Sequence, residues 1–261
     1  MTDVTKCTGC EACVAACKEE NQLGPDRRAR QTARIDDLSA TRYTTIVHRT
    51  GDRYVRVHCR HCLEPACVSA CLVGAMKQLP EGPVIYDKKR CMGCRYCMVA
   101  CPYSIPRYDW DKAVPYIRKC IMCYDRLKAG RLPACVEACP EKATIFGRRD
   151  ELLAEARKRL ADPKYVQTIY GEKEVGGTLV LYVSDVPLDF LGAKPNVSDT
   201  SLPDLTWASL KKVPPVIVGM GGLMTGIYWI IGRRMRMQAL AAAQRTGAET
   251  EIRQTKEDGG S

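Results

Sequence analysis

An α+β fold of two small nested subdomains, followed by a single C-terminal transmembrane helix, is what this sequence predicts, on three observations. Its sixteen cysteines fall into four groups of four, with none beyond Cys139. The text between the second and third groups reads as a helix, a turn and a short strand. Twenty consecutive residues, Val213 to Gly232, carry no charge.

The first group is Cys7, Cys10, Cys13 and Cys17, and the third is Cys91, Cys94, Cys97 and Cys101. Both read C-x2-C-x2-C-x3-C, the spacing with which bacterial ferredoxins hold [4Fe–4S] clusters. Three thiolates on one tight loop reach three irons of a cube. The fourth, on the following helix, ordinarily serves the other cluster of a pair. The second group is Cys59, Cys62, Cys67 and Cys71, and the fourth is Cys120, Cys123, Cys135 and Cys139. At four ligands each, the set predicts four [4Fe–4S] clusters. Disulfides suit secreted domains too small for a core, in less regular patterns. Zinc accepts C-x2-C pairs, and the fourth group alone would pass as such a site, but zinc has no use for a third cysteine three residues on.

A ferredoxin-like unit needs two motifs, so the four must pair. "ACLVGAMKQLPEGPVIYDKKRC" joins groups two and three as the halves of such a unit join, whereas Asn21–Arg53 is long, polar and turn-rich. This favours nesting over pairing of sequence neighbours. Residues 1–50 with 105–150 then form an outer ferredoxin-like subdomain around an inner one at 51–104. Residues 151–212 follow as a helix, a short strand and an extended linker. In the helix Leu152, Leu153, Ala156 and Leu160 form one apolar face, and Pro163 stops it. "GGTLVLYVSDVP" reads as the strand and Leu188–Thr206 as the linker.

The uncharged run 213–232 has the length that spans a hydrocarbon core, about 30 Å. Lys211 and Lys212 bracket one end, and Arg233, Arg234 and Arg236 the other. Tyr228 and Trp229 sit where interfacial aromatics belong. Gly222 and Gly226 would let another helix approach closely. The excess of Arg after the span places the tail, 233–261, in the cytoplasm and the cluster domain in the periplasm. No secretory or twin-arginine signal precedes Cys7, so either a partner carries the export signal, or a leader lies outside this sequence, or the domain stays inside.

The formal charge of +10 first suggests nucleic acid or an acidic lipid surface. Each oxidised cluster with its four thiolates carries about −2, so four leave the loaded protein near about +2. Basic residues are interleaved with the motifs at Arg60, Lys88, Lys89, Arg90, Arg95, Arg107, Arg118, Lys119 and Arg126. Offsetting cluster charge explains them, and no nucleic-acid partner is expected. With two Phe and three Trp, a large aromatic core is out of reach, so the clusters must nucleate the fold.

"RCMGCRYCMVACPYSIPRYDW" and "PYIRKCIMCYDRLKAGRLPACVEACPEKATIFG" resemble the four-cluster electron-transfer subunits of membrane-bound oxidoreductases. That group includes the β subunit of respiratory formate dehydrogenase, the iron–sulfur subunit of dimethyl sulfoxide reductase and the cluster subunit of hydrogenase-2. "IYGEKEVGGTLVLYVSDVP" and the single span are most similar to the hydrogenase-2 and formate dehydrogenase branches. The resemblance implies that Cys7, Cys10 and Cys13 with Cys139 hold one cluster, and Cys120, Cys123 and Cys135 with Cys17 a second. Cys59, Cys62 and Cys67 with Cys101 would hold a third, and Cys91, Cys94 and Cys97 with Cys71 a fourth. The outer pair would face a catalytic large subunit, a hydrogenase or molybdopterin enzyme with its own cluster path. The inner pair would face a multi-span, quinone-reactive membrane subunit in the lipid bilayer. Lys18 and Leu72 stand where Pro is frequent in the family.

No nucleophile–base pair, phosphate loop or acid pair stands out, so an electron-transfer subunit without a catalytic site is expected. His61, inside "CRHC", reads as a support for a cysteine ligand rather than a ligand itself. Arg107 and Lys119 flank cluster motifs, either to raise potentials or simply as solvated charges. The rival classes are a formate dehydrogenase or reductase β subunit, with electron flow in either direction, and a zinc-binding membrane scaffold.

Overall fold

The computed structural model describes residues 1–25, 37–49, 52–110, 112–187 and 199–258. The chain divides into two units, Met1–Leu205 and Thr206–Ser261. In the first, the elements are β1 (Thr2–Asp3), α1 (Ala12–Glu20), β2 (Thr45–Arg49), β3 (Arg53–Val57), α2 (Ala66–Ser69), β4 (Met76–Gln78) and β5 (Val84–Tyr86). There follow α3 (Tyr96–Ala100), β6 (Arg107–Tyr108), β7 (Ile117–Arg118), α4 (Tyr124–Lys128), α5 (Ala134–Glu137), α6 (Arg149–Leu160) and β8 (Tyr182–Val183).

Strands pair two by two. β2–β3, β4–β5 and β6–β7 are antiparallel, with Val47 opposite Val55, Lys77 opposite Ile85 and Tyr108 opposite Ile117. β1 lies parallel to β8, Thr2 beside Tyr182. A two-stranded ribbon is marginal by itself, so each depends on what it covers. α1 packs on α5, and α2 on α3. The helix that carries Cys13 and Cys17 of motif one therefore meets the helix of motif four, and motif two meets motif three.

Three apolar clusters hold this unit, and cysteines belong to two of them. Val4, Val55, Val57, Tyr103, Ile105 and Tyr182 surround Cys59 and Cys101. Met76 and Ile117 close on Cys97, with Cys67, Cys71 and Cys91 at the edge. The third lies under α6, where Leu152, Leu153 and Ala156 bury against Leu181 and Val183, and Leu160 is half-buried. Asp150 and Glu151 in the first turn of α6 and Arg157, Lys158 and Arg159 in the last suit its dipole. Arg159 also reaches the fully buried Asp3, at 2.9 Å, and Tyr165 donates to the same carboxylate at 3.0 Å.

α7 (Leu202–Leu210) begins inside the stretch read as linker, of which residues 188–198 lie outside the described residues. Ser201 explains it: its hydroxyl accepts from the Asp204 N–H at 3.2 Å, an N-cap three residues ahead of an acid. The strand read from "GGTLVLYVSDVP" contracts to Tyr182–Val183, with bridges from Thr178 to Cys62 and from Tyr182 to Tyr170. In the second unit α8 (Val213–Asp258) runs through the apolar stretch and on into the tail. Pro214 and Pro215 sit in its first turn, where N–H groups have no helical partner. The Ala-, Gln-, Met- and Arg-rich sequence after Gly232 has no reason to stop helix.

The β2–β3 hairpin covers the loop of motif one. A Cβ on Gly9 would stand 2.5 Å from the Tyr54 ring, and its φ of +74° already disfavours a side chain. Gly9→Ala should therefore lower stability by about 1–3 kcal/mol in denaturant unfolding of the loaded protein. Combining it with Tyr54→Ala should cost less than the sum of the two single changes.

Candidate metal centres

One backbone device recurs in all four motifs. The residue before the second cysteine is left-handed: Gly9 at φ +74°, His61 at +48°, Gly93 at +78° and Met122 at +59°. The turn folds its N–H back onto the first thiol of the motif. Gly93 N–H donates to Cys91 Sγ at 3.4 Å and Met122 N–H to Cys120 Sγ at 3.3 Å. The Gly9 and His61 N–H groups favour the thiolates of Cys7 and Cys59 in the same way. Fourth cysteines are served too: Ala75 N–H donates to Cys71 Sγ at 3.1 Å, Ile105 N–H to Cys101 Sγ at 3.5 Å and Asn21 to Cys17 Sγ at 3.6 Å.

Thiols from different motifs come together. Burial first, then Cys135 and Cys123, pushes the Cys17 thiol up to about 12. Cys7 is raised by burial, with Cys139 and Cys10 adding to it. Burial raises Cys62, and Cys59, Cys101 and Cys67 reinforce it. Cys97 is pushed up to about 12 by burial, then by Cys71, Cys91 and Cys94. Neighbouring sets also meet: Cys13 feels Cys135, Cys120 feels Cys59, and Cys67 feels Cys97. Cys7, Cys17, Cys62 and Cys97 are thus buried sulfur that resists ionisation until a cation joins it.

A cavity of about 900 Å³ is lined by Cys17, Cys120, Cys123 and Cys135, together with Arg56 and His61. A smaller one is lined by Cys7, Cys10, Cys13 and Cys139, again with Arg56. Among the described residues no three His, Cys, Asp or Glu side chains converge as they would on one metal ion. Soft thiols held apart around a hollow, with N–H groups turned onto the sulfur, fit a multi-iron cluster in which each thiolate takes a different iron.

The basic residues read from the sequence separate into kinds. Lys119 is buried and donates to the carbonyls of Val84 and Cys120, with Cys59 Sγ 4.0 Å away. His61 Nδ1 accepts from Val84 N–H at 2.9 Å, which leaves the ring proton on Nε2. Burial opposes the Cys59 thiolate, yet His61 and Lys119 outweigh it and bring that thiol down to about 6. Arg60 is buried over the Tyr182 ring, 4.3 Å from its centroid. Arg107 is buried too, but it donates to the carbonyls of Leu38, at 3.0 Å, and of Ser104, and so ties down the loop after Cys101. Arg126 clamps Glu20, at 2.8 Å, and Glu137. Lys88, Lys89, Arg90 and Arg95 are exposed, and Arg95 stacks on Trp110 at 5.0 Å.

Arg56 was not singled out in the sequence. It lies in β3, where Val55 and Val57 face the core and the alternate position faces Cys13 and Cys135. Alternation from Val55, Val57 and Cys59 puts it on the opposite face of the strand, and nothing local in the sequence says that thiols cover that face.

Apolar side chains crowd the surface around one set. Leu72 is 71% exposed and Val99 79%, with Met92 and Tyr96 also exposed beside Cys71, Cys91, Cys94 and Cys97. Leu202–Ala243, most of it in the second unit, holds the one stretch among the described residues long and apolar enough to cross a membrane, with mean hydropathy 1.5.

The 4Fe-4S dicluster domain family matches residues 52–149, which hold motifs two, three and four. The hydrogenase-2 operon protein HybA of Escherichia coli O157:H7 is 39% identical over 242 residues, 77% of this chain and 74% of that protein. The formate dehydrogenase iron–sulfur subunit of Haemophilus influenzae is 35% identical over 241 residues, 85% of this chain and 76% of that protein. The B subunit of the anaerobic dimethyl sulfoxide reductase of Escherichia coli K12 is 39% identical over 151 residues, covering 58% of this chain and 73% of that protein. With its thiol sets, its N–H turns and relatives that run through most of its length, the chain belongs to the family of 4Fe–4S dicluster iron–sulfur subunits that contains these three proteins.

Proposed function

We propose that this chain is the electron-relay subunit of a membrane-bound respiratory complex, with four [4Fe–4S] clusters between a catalytic subunit and a quinone-reactive membrane subunit. One observation carries the reading: the fourth cysteine of each motif keeps company with the first three of its partner motif, as Cys17 does with Cys123 and Cys135. It supports four ligand sets: Cys7, Cys10, Cys13 with Cys139; Cys120, Cys123, Cys135 with Cys17; Cys59, Cys62, Cys67 with Cys101; and Cys91, Cys94, Cys97 with Cys71. The packing of α1 on α5 and α2 on α3 supports the nesting of an inner pair within an outer one.

When bound, the clusters supply one-electron oxidation and reduction at each set. The chain's own residues hold the thiolates at fixed places, turn N–H groups onto them and keep water from the interior. The order of sets along the chain of thiol contacts, Cys13 to Cys135, Cys120 to Cys59, Cys67 to Cys97, supports a linear path. The exposed apolar side chains around Cys71 and Cys97 support a protein partner at that end. The relatives named for hydrogenase-2 and formate dehydrogenase favour those two catalytic partners, hydrogenase first by identity over the chain. A periplasmic cluster domain with α8 as its anchor completes the proposal.

Metal analysis of the purified complex should give about sixteen irons and sixteen acid-labile sulfides per chain beyond those of the catalytic subunit; zinc with little iron would sink the proposal. Nickel in the co-purifying large subunit would identify a hydrogenase, and molybdenum or tungsten the formate dehydrogenase type. Cys17→Ser should alter the EPR signal of the set anchored by Cys120, Cys123 and Cys135, and a change confined to the Cys7 set would refute the exchange of fourth ligands. Leu223→Arg, at the middle of the apolar stretch, should disfavour insertion by about 2.5–3.5 kcal/mol, seen as release from membranes by carbonate extraction.

A further inference from the structure

Two buried cations stand at the points where one thiol set gives way to the next. Arg56 lines both cavities described above, that of Cys7, Cys10, Cys13 and Cys139 and that of Cys17, Cys120, Cys123 and Cys135. Its side chain is 4% exposed, and its Nε and Nη1 find no hydrogen-bond partner in the protein. No carboxylate pairs with it among the described residues; the groups facing it are Cys135, Tyr182 and Cys13. A guanidinium buried without an acid would cost several kcal/mol unless negative charge lies on both sides of it. Its neighbours His58 and Arg60 cannot supply that charge.

Lys119 repeats the arrangement one step along. It sits between Cys120, whose carbonyl accepts from it at 2.9 Å, and Cys59, whose sulfur is 4.0 Å from its Nζ. With Val84 O as the remaining acceptor, the three donors of the ammonium are accounted for, and one of them faces sulfur. No ion pair among the described residues involves Lys119. At the next step the pattern changes: the leading charges at Cys97 are Cys71, Cys91 and Cys94, thiols like itself.

We propose that Arg56 and Lys119 are bridging cations that raise the reduction potentials of the two thiol-held sets each stands between, and so set the order of potentials along the path. The inference rests on the four-set reading above. The hand-over is a one-electron transfer: one set is oxidised, the next is reduced, no bond forms or breaks and no proton moves. Each added electron makes a set more negative, so a fixed positive charge within the protein's low-dielectric interior favours the reduced form on either side of it. Placed at a junction, the charge acts on donor and acceptor alike. It keeps the hand-over close to balance while lifting both above sets that lack it.

The test is redox-poised EPR on the purified, metal-loaded complex, each signal being assigned with a serine variant of one thiol of its set (Cys7, Cys123, Cys67 or Cys97). Arg56→Met should lower the potentials of the Cys7 and Cys123 sets by at least tenfold in the reduction equilibrium, about 59 mV for one electron. Lys119→Met should do the same to the Cys123 and Cys67 sets, and neither change should move the Cys97 set. Arg56→Lys, which keeps the charge, should return at least half of the shift. Lys164→Met removes the same formal charge at an exposed pair with Asp162 and should leave all four in place. Unmoved potentials with full iron content would overturn the proposal while leaving the four-set reading intact, and so would an equal shift of all sets. Zinc in place of iron in the unaltered protein would instead remove the reading on which it rests. If Arg56→Met loses iron, the Lys119→Met pattern decides alone.

Discussion

Buried sulfur cannot hold charge by itself, and this constraint shapes the first unit. The thiols of Cys13, Cys17, Cys67 and Cys97 are pushed up to between about 11 and about 12, by burial first and by one another second. As neutral thiols they are only small apolar bodies, in a chain whose strands are two to five residues long and whose cysteine-bearing helices are mostly a single turn. Ligation reverses the balance, because thiolate sulfur bound to iron is both satisfied and cross-linked. Short ribbons then have a body to lie on. The Met76–Ile117 cluster, which closes on Cys97, is an apolar lid over sulfur rather than a core in its own right.

The same constraint explains an inequality among motifs that share one turn. Motifs one and three place Gly9 and Gly93 at the left-handed position, where glycine is free of the Cβ penalty. Motifs two and four put His61 and Met122 there, at about 1–2 kcal/mol of backbone strain each. For His61 the compensation is visible. Its ring takes the Val84 N–H at 2.9 Å and so ties the loop of motif two to β5, while its own N–H serves Cys59. Glycine would relieve the backbone and lose the tie.

Local chemistry was legible in the sequence, and distant geometry was not. Cysteine spacing is a property of a few adjacent residues, so the four motifs could be read without knowing what faces them. The apolar face of α6 and the unbroken apolar run of α8 are legible for the same reason. The start of α7 is present as Ser201-x-x-Asp204, but Pro203 and the polar stretch before it speak for a loop. By contrast, Thr2 pairing beside Tyr182 joins the two ends of the first unit, and no periodicity announces such a contact. Nor could the sequence tell Lys119 from Arg107. Both lie within a few residues of a motif cysteine, yet one faces Cys59 and the other a row of main-chain carbonyls.

The distribution of basic residues settles what the composition left ambiguous. A positive total alone would suit a polyanion or a lipid surface. Here Arg56 and Lys119 are buried with no acid paired to them among the described residues, while exposed ones such as Lys112 and Arg148 mostly answer a neighbouring acid. Buried cations without acids are tolerable only against another source of negative charge, and the thiol sets are the one source beside them. The choice of cation fits a path for electrons. An arginine stays protonated at any pH the protein meets, and a lysine with all three donors engaged is held in place. His58, between Arg56 and Arg60, is kept well below its ordinary pKa by burial and by those two charges, so it stays neutral. The interior therefore presents a fixed positive field, and what changes within it as the path operates is the charge of the sulfur-bound centres alone.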